Sequence, residues 1–230
     1  MNQPMHFALN AEPYEFEFKP DQCALLIIDM QRDFLEEGGF GSSLGNDVGK
    51  LRRTIEPNVI LLQTWRNAGL PVIHTREGHL PDLGDLPVSK KTRGRGVKTI
   101  GDMGPMGRIL VRGEDGQDII SELQPLPSEK VIDKPGKGAF YGTDLQETLV
   151  VGGIRQLIVT GVTTEVCVHT TVREANDRGY DCLVLSDCVG SYFDEFHEVG
   201  LAMIKAQGGI FGWVGHSREV LKVLTQMDSK

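Results

Sequence analysis

Six short apolar runs constrain this sequence more than any other feature: ALLII (24–28), PVIH (71–74), KVI (130–132), LIV (157–159), CLVL (182–185) and IFGW (210–213). They are rich in β-branched residues and continuous rather than alternating, the pattern of strands buried on both faces. Segments with helical periodicity lie between them. One spans about 47–68, where Pro57 is expected to break or kink it. Others follow at about 143–150, 165–178, 194–206 and 217–226. Strands that alternate with helices make a parallel sheet covered on both sides. The expected fold is therefore a three-layer α/β/α doubly wound domain with a six-stranded parallel sheet over residues 21–230. An N-terminal arm, residues 1–20, precedes it and is expected to pack on the domain or on a neighbouring subunit. The stretch 76–116 is glycine-rich and carries a basic patch (Lys90, Lys91, Arg93, Arg95, Lys98). So long a connection inside a compact domain is expected to be functional or to bridge subunits.

Composition narrows the function classes. A net charge of −8 argues against non-specific nucleic-acid binding. No window is apolar for the roughly 18 residues that a membrane span needs. No charged segment followed by an apolar one opens the chain, so the expected location is the cytoplasm. The four cysteines, Cys23, Cys167, Cys182 and Cys188, form no C-x-x-C pair and are expected to be reduced. Cys182 and Cys188 read as structural, since neither opens a helix.

Cys167 differs. It follows the 157–159 run and Thr160-Gly161, behind two threonines, Thr163 and Thr164, that are candidate helix N-caps. Val168, Val172 and Ala175 then mark one helical face, and Gly179 is the expected stop. The thiol thus falls in a first helical turn, where unpaired N–H groups and the helix dipole favour a thiolate. Doubly wound sheets bind ligands beyond the C-terminal ends of their strands. At that edge the sequence also places Asp29, ending the first strand, and Lys134, just past the third. A carboxylate can take the thiol proton, a cation can hold the carboxylate, and a thiolate can attack an electrophilic carbonyl.

Three blocks, LLIIDMQRDF (25–34), VIDKPGKGAF (131–140) and VTGVTTEVCVHTTVREANDRGY (159–180), resemble in order and spacing the signature blocks of the isochorismatase-like cysteine hydrolases. The resemblance runs from about residue 22 to 215. It implies an Asp–Lys–Cys triad at Asp29, Lys134 and Cys167, and a cis peptide before Thr163. It also implies an oxyanion hole formed by the N–H groups of Thr163 and Cys167. Members with a metal carry an Asp-x-His…His site after the second strand; here the corresponding stretch, His74 to His79, lacks that spacing, and no metal or cofactor is expected. The HTREGH run, DKPGKGAF and QGGIFG (207–212) resemble the branch that cleaves ureides, closest to biuret hydrolases, with triuret and ureidoacrylate amidohydrolases nearby. The resemblance gives Gln207 the role of offering its amide O and N to a urea-like substrate. Phe34 is read as a pocket wall or as core, and Lys137 as a carbonyl or carboxylate binder or as a surface lysine. Arg76 and Glu77 are expected to follow the second strand and to line the entrance or pair with each other. The family's habit implies a homo-oligomer, a dimer or tetramer, and a small ureide as the partner molecule.

Two other functions compete. Vinyl-ether hydrolysis of the isochorismatase type needs an acid and no nucleophile, so Cys167 at a helix start counts against it. A flavodoxin-like nucleotide binder needs a glycine-rich phosphate loop after strand one, where this chain has Asp29-Met30-Gln31-Arg32-Asp33.

Overall fold

The computed structural model describes residues 6–93 and 97–227; Arg95 of the basic patch and the two ends of the chain lie outside them. The central sheet contains β1 (Ala11–Glu12), β2 (Cys23–Ile28), β3 (Val72–Glu77), β4 (Lys130–Lys134), β5 (Gln156–Val162), β6 (Asp181–Gly190) and β7 (Trp213–Gly215). Their spatial order is β1-β7-β6-β5-β2-β3-β4. Strands β2 to β7 run parallel. The expected α/β fold is thus present, but the sheet has seven strands and is mixed. The seventh comes from the N-terminal arm: β1 pairs antiparallel with β7 and lies in the connection between Phe7–Leu9 and Phe16–Phe18, which pair with each other. Two residues carry no periodicity, and so β1 left no trace in the sequence pattern.

The strands bury alternate residues on opposite faces, as a period of two requires. One face of β2 and β5, with Leu25, Ile27 and Ile158, packs against Leu61, Leu62 and Trp65 of α1 (Ile55–Asn67). Val220, Val223 and Leu224 of α5 (Ser217–Met227) join that layer. The other face, with Leu26, Ile28, Leu157 and Val159, packs against α2 (Leu145–Val151), α3 (His169–Asp177) and α4 (Asp194–Gly209). Full burial of each such aliphatic side chain contributes about 1.5–3 kcal/mol.

Several boundaries differ from expectation. The 47–68 segment is two helices, Gly49–Arg52 and α1, and the break falls before Pro57. Pro57 occupies the first turn of α1, where a missing N–H costs no helical hydrogen bond. Helix α4 loses helical geometry at Ala206, Gln207 and Gly208, so the last strand starts at Trp213 rather than at Ile210. Strand β3 continues to Glu77, three residues beyond the apolar run. The 76–116 connection holds short pieces of its own: a helical turn, Val88–Lys91, and a two-residue hairpin, Met103–Gly104 with Gly107–Arg108.

Chain order sets where a site can form. From β2 the chain adds β3 and β4 on one side, then returns to place β5, β6 and β7 on the other. The reversal lies between β2 and β5, and the crevice of a doubly wound sheet opens there. Gly161 permits this pair to close up. It has φ 102°, and a methyl group at that position would collide with the Ile28 carbonyl.

Candidate active site

Asp29 and Cys167 flank that reversal, one after β2 and the other after β5. Asp29 is fully buried and has φ 50°, a left-handed conformation that Asp tolerates better than most residues and that clusters at functional sites. The bend turns its carboxylate toward β3 and β4. Oδ1 accepts the Thr75 hydroxyl at 2.6 Å, and Oδ2 lies 2.7 Å from Lys134 Nζ. Lys134 is also fully buried and donates to the carbonyls of Gly136 and Lys137, both at 2.9 Å. The ammonium thus meets two carbonyls through hydrogen bonds and one carboxylate oxygen as an ion pair. Burial opposes its charge, but Asp29, Cys167 and Glu77 outweigh burial and raise its pKa above the usual lysine value.

Strand β5 leads into a wide turn, Thr164–Val168, of π-helical geometry that continues as α3. The Val162–Thr163 peptide is cis. The carbonyl of Thr163 accepts the N–H groups of Val166 and Val168 at 3.1 and 3.2 Å. Neither threonine caps the helix through its side chain: Thr163 makes no such bond, and Thr164 Oγ1 instead meets His197 Nδ1 of α4 at 2.9 Å. From α3, the Thr171 hydroxyl donates to the Cys167 carbonyl at 2.7 Å and accepts the Ala139 N–H at 3.1 Å. The Cys167 turn is thereby fastened to the loop that follows Lys134.

Cys167 is 4% exposed, and burial works against the thiolate that a helix start favours. Burial pushes its thiol well above the ordinary range; Lys134 and Lys137 pull it down, and Asp29 and Glu77 push it further up. The net direction is upward, away from the thiolate, which suits a mechanism that supplies a base. The candidate acceptors are close, because Asp29, Glu77 and Cys167 bring an oxygen or sulfur within 4.8 Å of one another.

Glu77 was expected to line the entrance or pair with Arg76; its contact with the thiol was not foreseen. It ends β3, opposite Lys134 in the parallel register, and is fully buried. Oε1 lies 2.6 Å from Lys137 Nζ, and Oε2 accepts the Cys167 thiol at 3.6 Å. Burial pushes its carboxyl up, but Lys137 and Lys134 outweigh burial and leave its pKa below the ordinary carboxylate value. Gln31, two residues past Asp29, clamps the Glu77 backbone from both sides. Its Oε1 accepts the Glu77 N–H at 2.7 Å, and its Nε2 donates to the Glu77 carbonyl at 2.9 Å. The expectation that Arg76 pairs with Glu77 is therefore corrected: neighbours on a strand point to opposite faces. Arg76 turns to Asp133 and Asp118 instead. The sequence signal was present, since Glu77 stands at a strand end just as Asp29 does, but the apolar run stopped at His74.

The other candidates differ in where they lie. Lys137 is half-buried and bound to Glu77. Phe34 is half-buried and packs against the core, its carbonyl accepting the Tyr192 hydroxyl at 2.7 Å. Gln207 is exposed at the α4 kink, with φ 51°. Its segment is tied to the Cys167 helix through Phe211, whose ring packs on His169 and lies 4.0 Å beneath the Arg173 guanidinium. Glu77 and His79 are two apart, the spacing of Asp-x-His with a longer acid, but they face different partners; His79 Nδ1 meets Asp85 at 3.2 Å. His74 is buried and meets Glu129. Asp29, Glu77 and Cys167 carry ligand-type atoms, yet both carboxylates already hold an ammonium, which disfavours a further cation.

Known proteins resemble this chain in sequence and in fold. A family model described as the isochorismatase domain matches residues 23–215. The ureidoacrylate amidohydrolase RutB of Acinetobacter baylyi is 30% identical over 215 residues, covering 91% of this chain and 86% of that protein. The RutB of Pantoea ananatis is 31% identical over 210 residues, covering 90% and 83%. Among solved structures, a cysteine hydrolase from Pseudomonas syringae pv. phaseolicola superposes with TM-score 0.78 at 25% identity, over 99% of this chain and 100% of that one. N-carbamoylsarcosine amidase from Thermoplasma acidophilum shares the fold, with TM-score 0.65 at 24% identity over 86% and 98%. The chain belongs to the isochorismatase family.

Proposed function

We propose that this protein is a thiol amidohydrolase that cleaves a C–N bond of a small ureide, with Cys167 as nucleophile. One observation carries the reading. A buried thiol stands beside a buried Asp29–Lys134 ion pair at the reversal of a doubly wound sheet. Asp29 takes the thiol proton, and sulfur attacks the substrate carbonyl. The N–H groups of Thr163 and Cys167 hold the tetrahedral oxyanion, each donor of this kind being worth about 3 kcal/mol. Asp29 returns the proton to the leaving nitrogen, the C–N bond breaks, and a thioester and ammonia or an amine result. Water, deprotonated by the same carboxylate, then cleaves the thioester. Lys134 orients Asp29 and stabilises its charge throughout.

The leading substrate in this proposal is biuret, with Gln207 pairing with its urea-like end and Phe34 as the pocket wall. A second reading, ureidoacrylate, is favoured by two observations: RutB relatives carry that name at 30–31% identity, and Lys137, which acts on Cys167, keeps 40% of its side chain in solvent. A half-exposed ammonium beside the thiol suits a substrate carboxylate. Ammonia release measured over biuret, triuret, ureidoacrylate and other N-carbamoyl compounds separates these readings. The Cys167→Ser and Cys167→Ala variants are expected to lose turnover while keeping the wild-type circular dichroism. Turnover retained in either variant overturns the mechanism.

A further inference from the structure

The Asp–Lys–Cys reading gives Glu77 no work, although it is the carboxylate to which the thiol donates. A fully buried charge is costly unless its partners are specific, and each atom of Glu77 has one. Its backbone is clamped by Gln31, Oε1 holds Lys137, and Oε2 accepts the thiol. Asp29 is differently placed, because its two oxygens are taken by the Thr75 hydroxyl and the Lys134 ammonium. The two carboxylates therefore present unlike faces to the sulfur.

We infer that Glu77 is a second carboxylate of the catalytic centre, which holds the Cys167 thiol at rest and positions Lys137 at the substrate side of the sulfur. The inference rests on Cys167 being the nucleophile. At rest the S–H donates to Oε2. When a substrate carbonyl enters, the thiol swings from Glu77 toward Asp29, which takes the proton as above; no proton remains on Glu77 at any stage. Lys137, tethered through Oε1, stays beside the reaction centre to meet a carbonyl or carboxylate. The charged groups that act on the sulfur are Asp29 after β2, Glu77 at the end of β3, Lys134 at the end of β4 and Lys137 in the loop beyond. Lys134, Lys137 and Lys90 act on Glu77, and Glu77 acts in turn on His79. Glu77 disfavours the thiolate and Lys137 favours it, so removing each has the opposite effect.

The test is alkylation of Cys167 by iodoacetamide as a function of pH, followed peptide by peptide so that Cys23, Cys182 and Cys188 are read apart. Glu77→Gln is expected to move the midpoint of the alkylation profile down by about one pH unit, and Lys137→Met to move it up. With any ureide the protein turns over, both variants raise KM more than they lower kcat, and Glu77→Asp restores part of the loss. Unshifted profiles in Glu77→Gln and Lys137→Met, with melting curves like those of wild type, overturn the inference. If Glu77→Gln fails to fold, Lys137→Met and Glu77→Asp decide it by the same readout. Alkylation needs no substrate, so a failure of the ureide assignment leaves this outcome readable.

Discussion

Two lysine–carboxylate pairs meet at one sulfur, and they are built differently. Asp29 and Lys134 are both wholly buried; Glu77 is wholly buried, but its partner Lys137 keeps 40% of its side chain in solvent. A sealed pair has no other way to satisfy its charges, whereas a half-open pair can relax outward. The sealed pair suits a proton acceptor that must keep one geometry through two proton transfers. The half-open pair suits a group that must meet arriving molecules. What each substitution leaves behind should then rank the effects, rather than the length of the bond it removes.

Lys134→Met is expected to have the largest effect. It leaves the Asp29 carboxylate buried with only the Thr75 hydroxyl, and breaking a buried pair from one side costs about 3–5 kcal/mol. Urea unfolding should show that loss, together with loss of turnover. A variant within about 1 kcal/mol of wild type would show that solvent reaches Asp29, and the contrast between the pairs would disappear. Lys137→Met should cost less, about 1–3 kcal/mol, because Glu77 stays buried but still has Lys134 and Lys90 within electrostatic reach. If Lys137→Met proves as costly as Lys134→Met, the half-open pair is as sealed in solution as the other.

The sealed pair was legible in the sequence and the half-open one was not, for a physical reason. Asp29 and Lys134 sit where apolar runs end, and the ends of buried parallel strands are where ligands bind. Strand β3 hides its end. Thr75, Arg76 and Glu77 are polar, and what extends the strand is backbone pairing with β4, with Arg76 opposite Asp133 and Glu77 opposite Lys134. Pairing across 57 residues leaves no local pattern. The same holds for β1, whose two residues find β7 only in three dimensions. The burial of the thiol was also not legible, because a helix start gives the direction of the dipole but not burial or two neighbouring acids, which oppose the thiolate. The Gln207 kink, by contrast, could have been expected from Gly208 and Gly209, which share its left-handed backbone.

Glu77→Gln should have the smallest effect on stability, and the pH at which it appears sharpens the comparison. This change leaves Lys137 behind, and a half-exposed ammonium can rehydrate, so the cost at neutral pH is under about 1 kcal/mol. Glu77 has a folded pKa below its ordinary value. It therefore contributes stability above the ordinary carboxylate range of about 4.3, and that contribution fades as pH falls through the folded value. Wild type and the Glu77→Gln variant should differ most near pH 7 and converge in acid, where the wild-type carboxyl is itself neutral. Lys134 works on the other limb, because its raised pKa gives stability that fades only as pH climbs beyond the ordinary lysine value of about 10.4. Urea midpoints for wild type, Glu77→Gln and Lys134→Met across the folded pH range read both limbs. Curves for wild type and Glu77→Gln that stay parallel from pH 7 into acid would mean that Glu77 carries no net electrostatic stabilisation. The half-open pair would then serve the thiol and Lys137 alone.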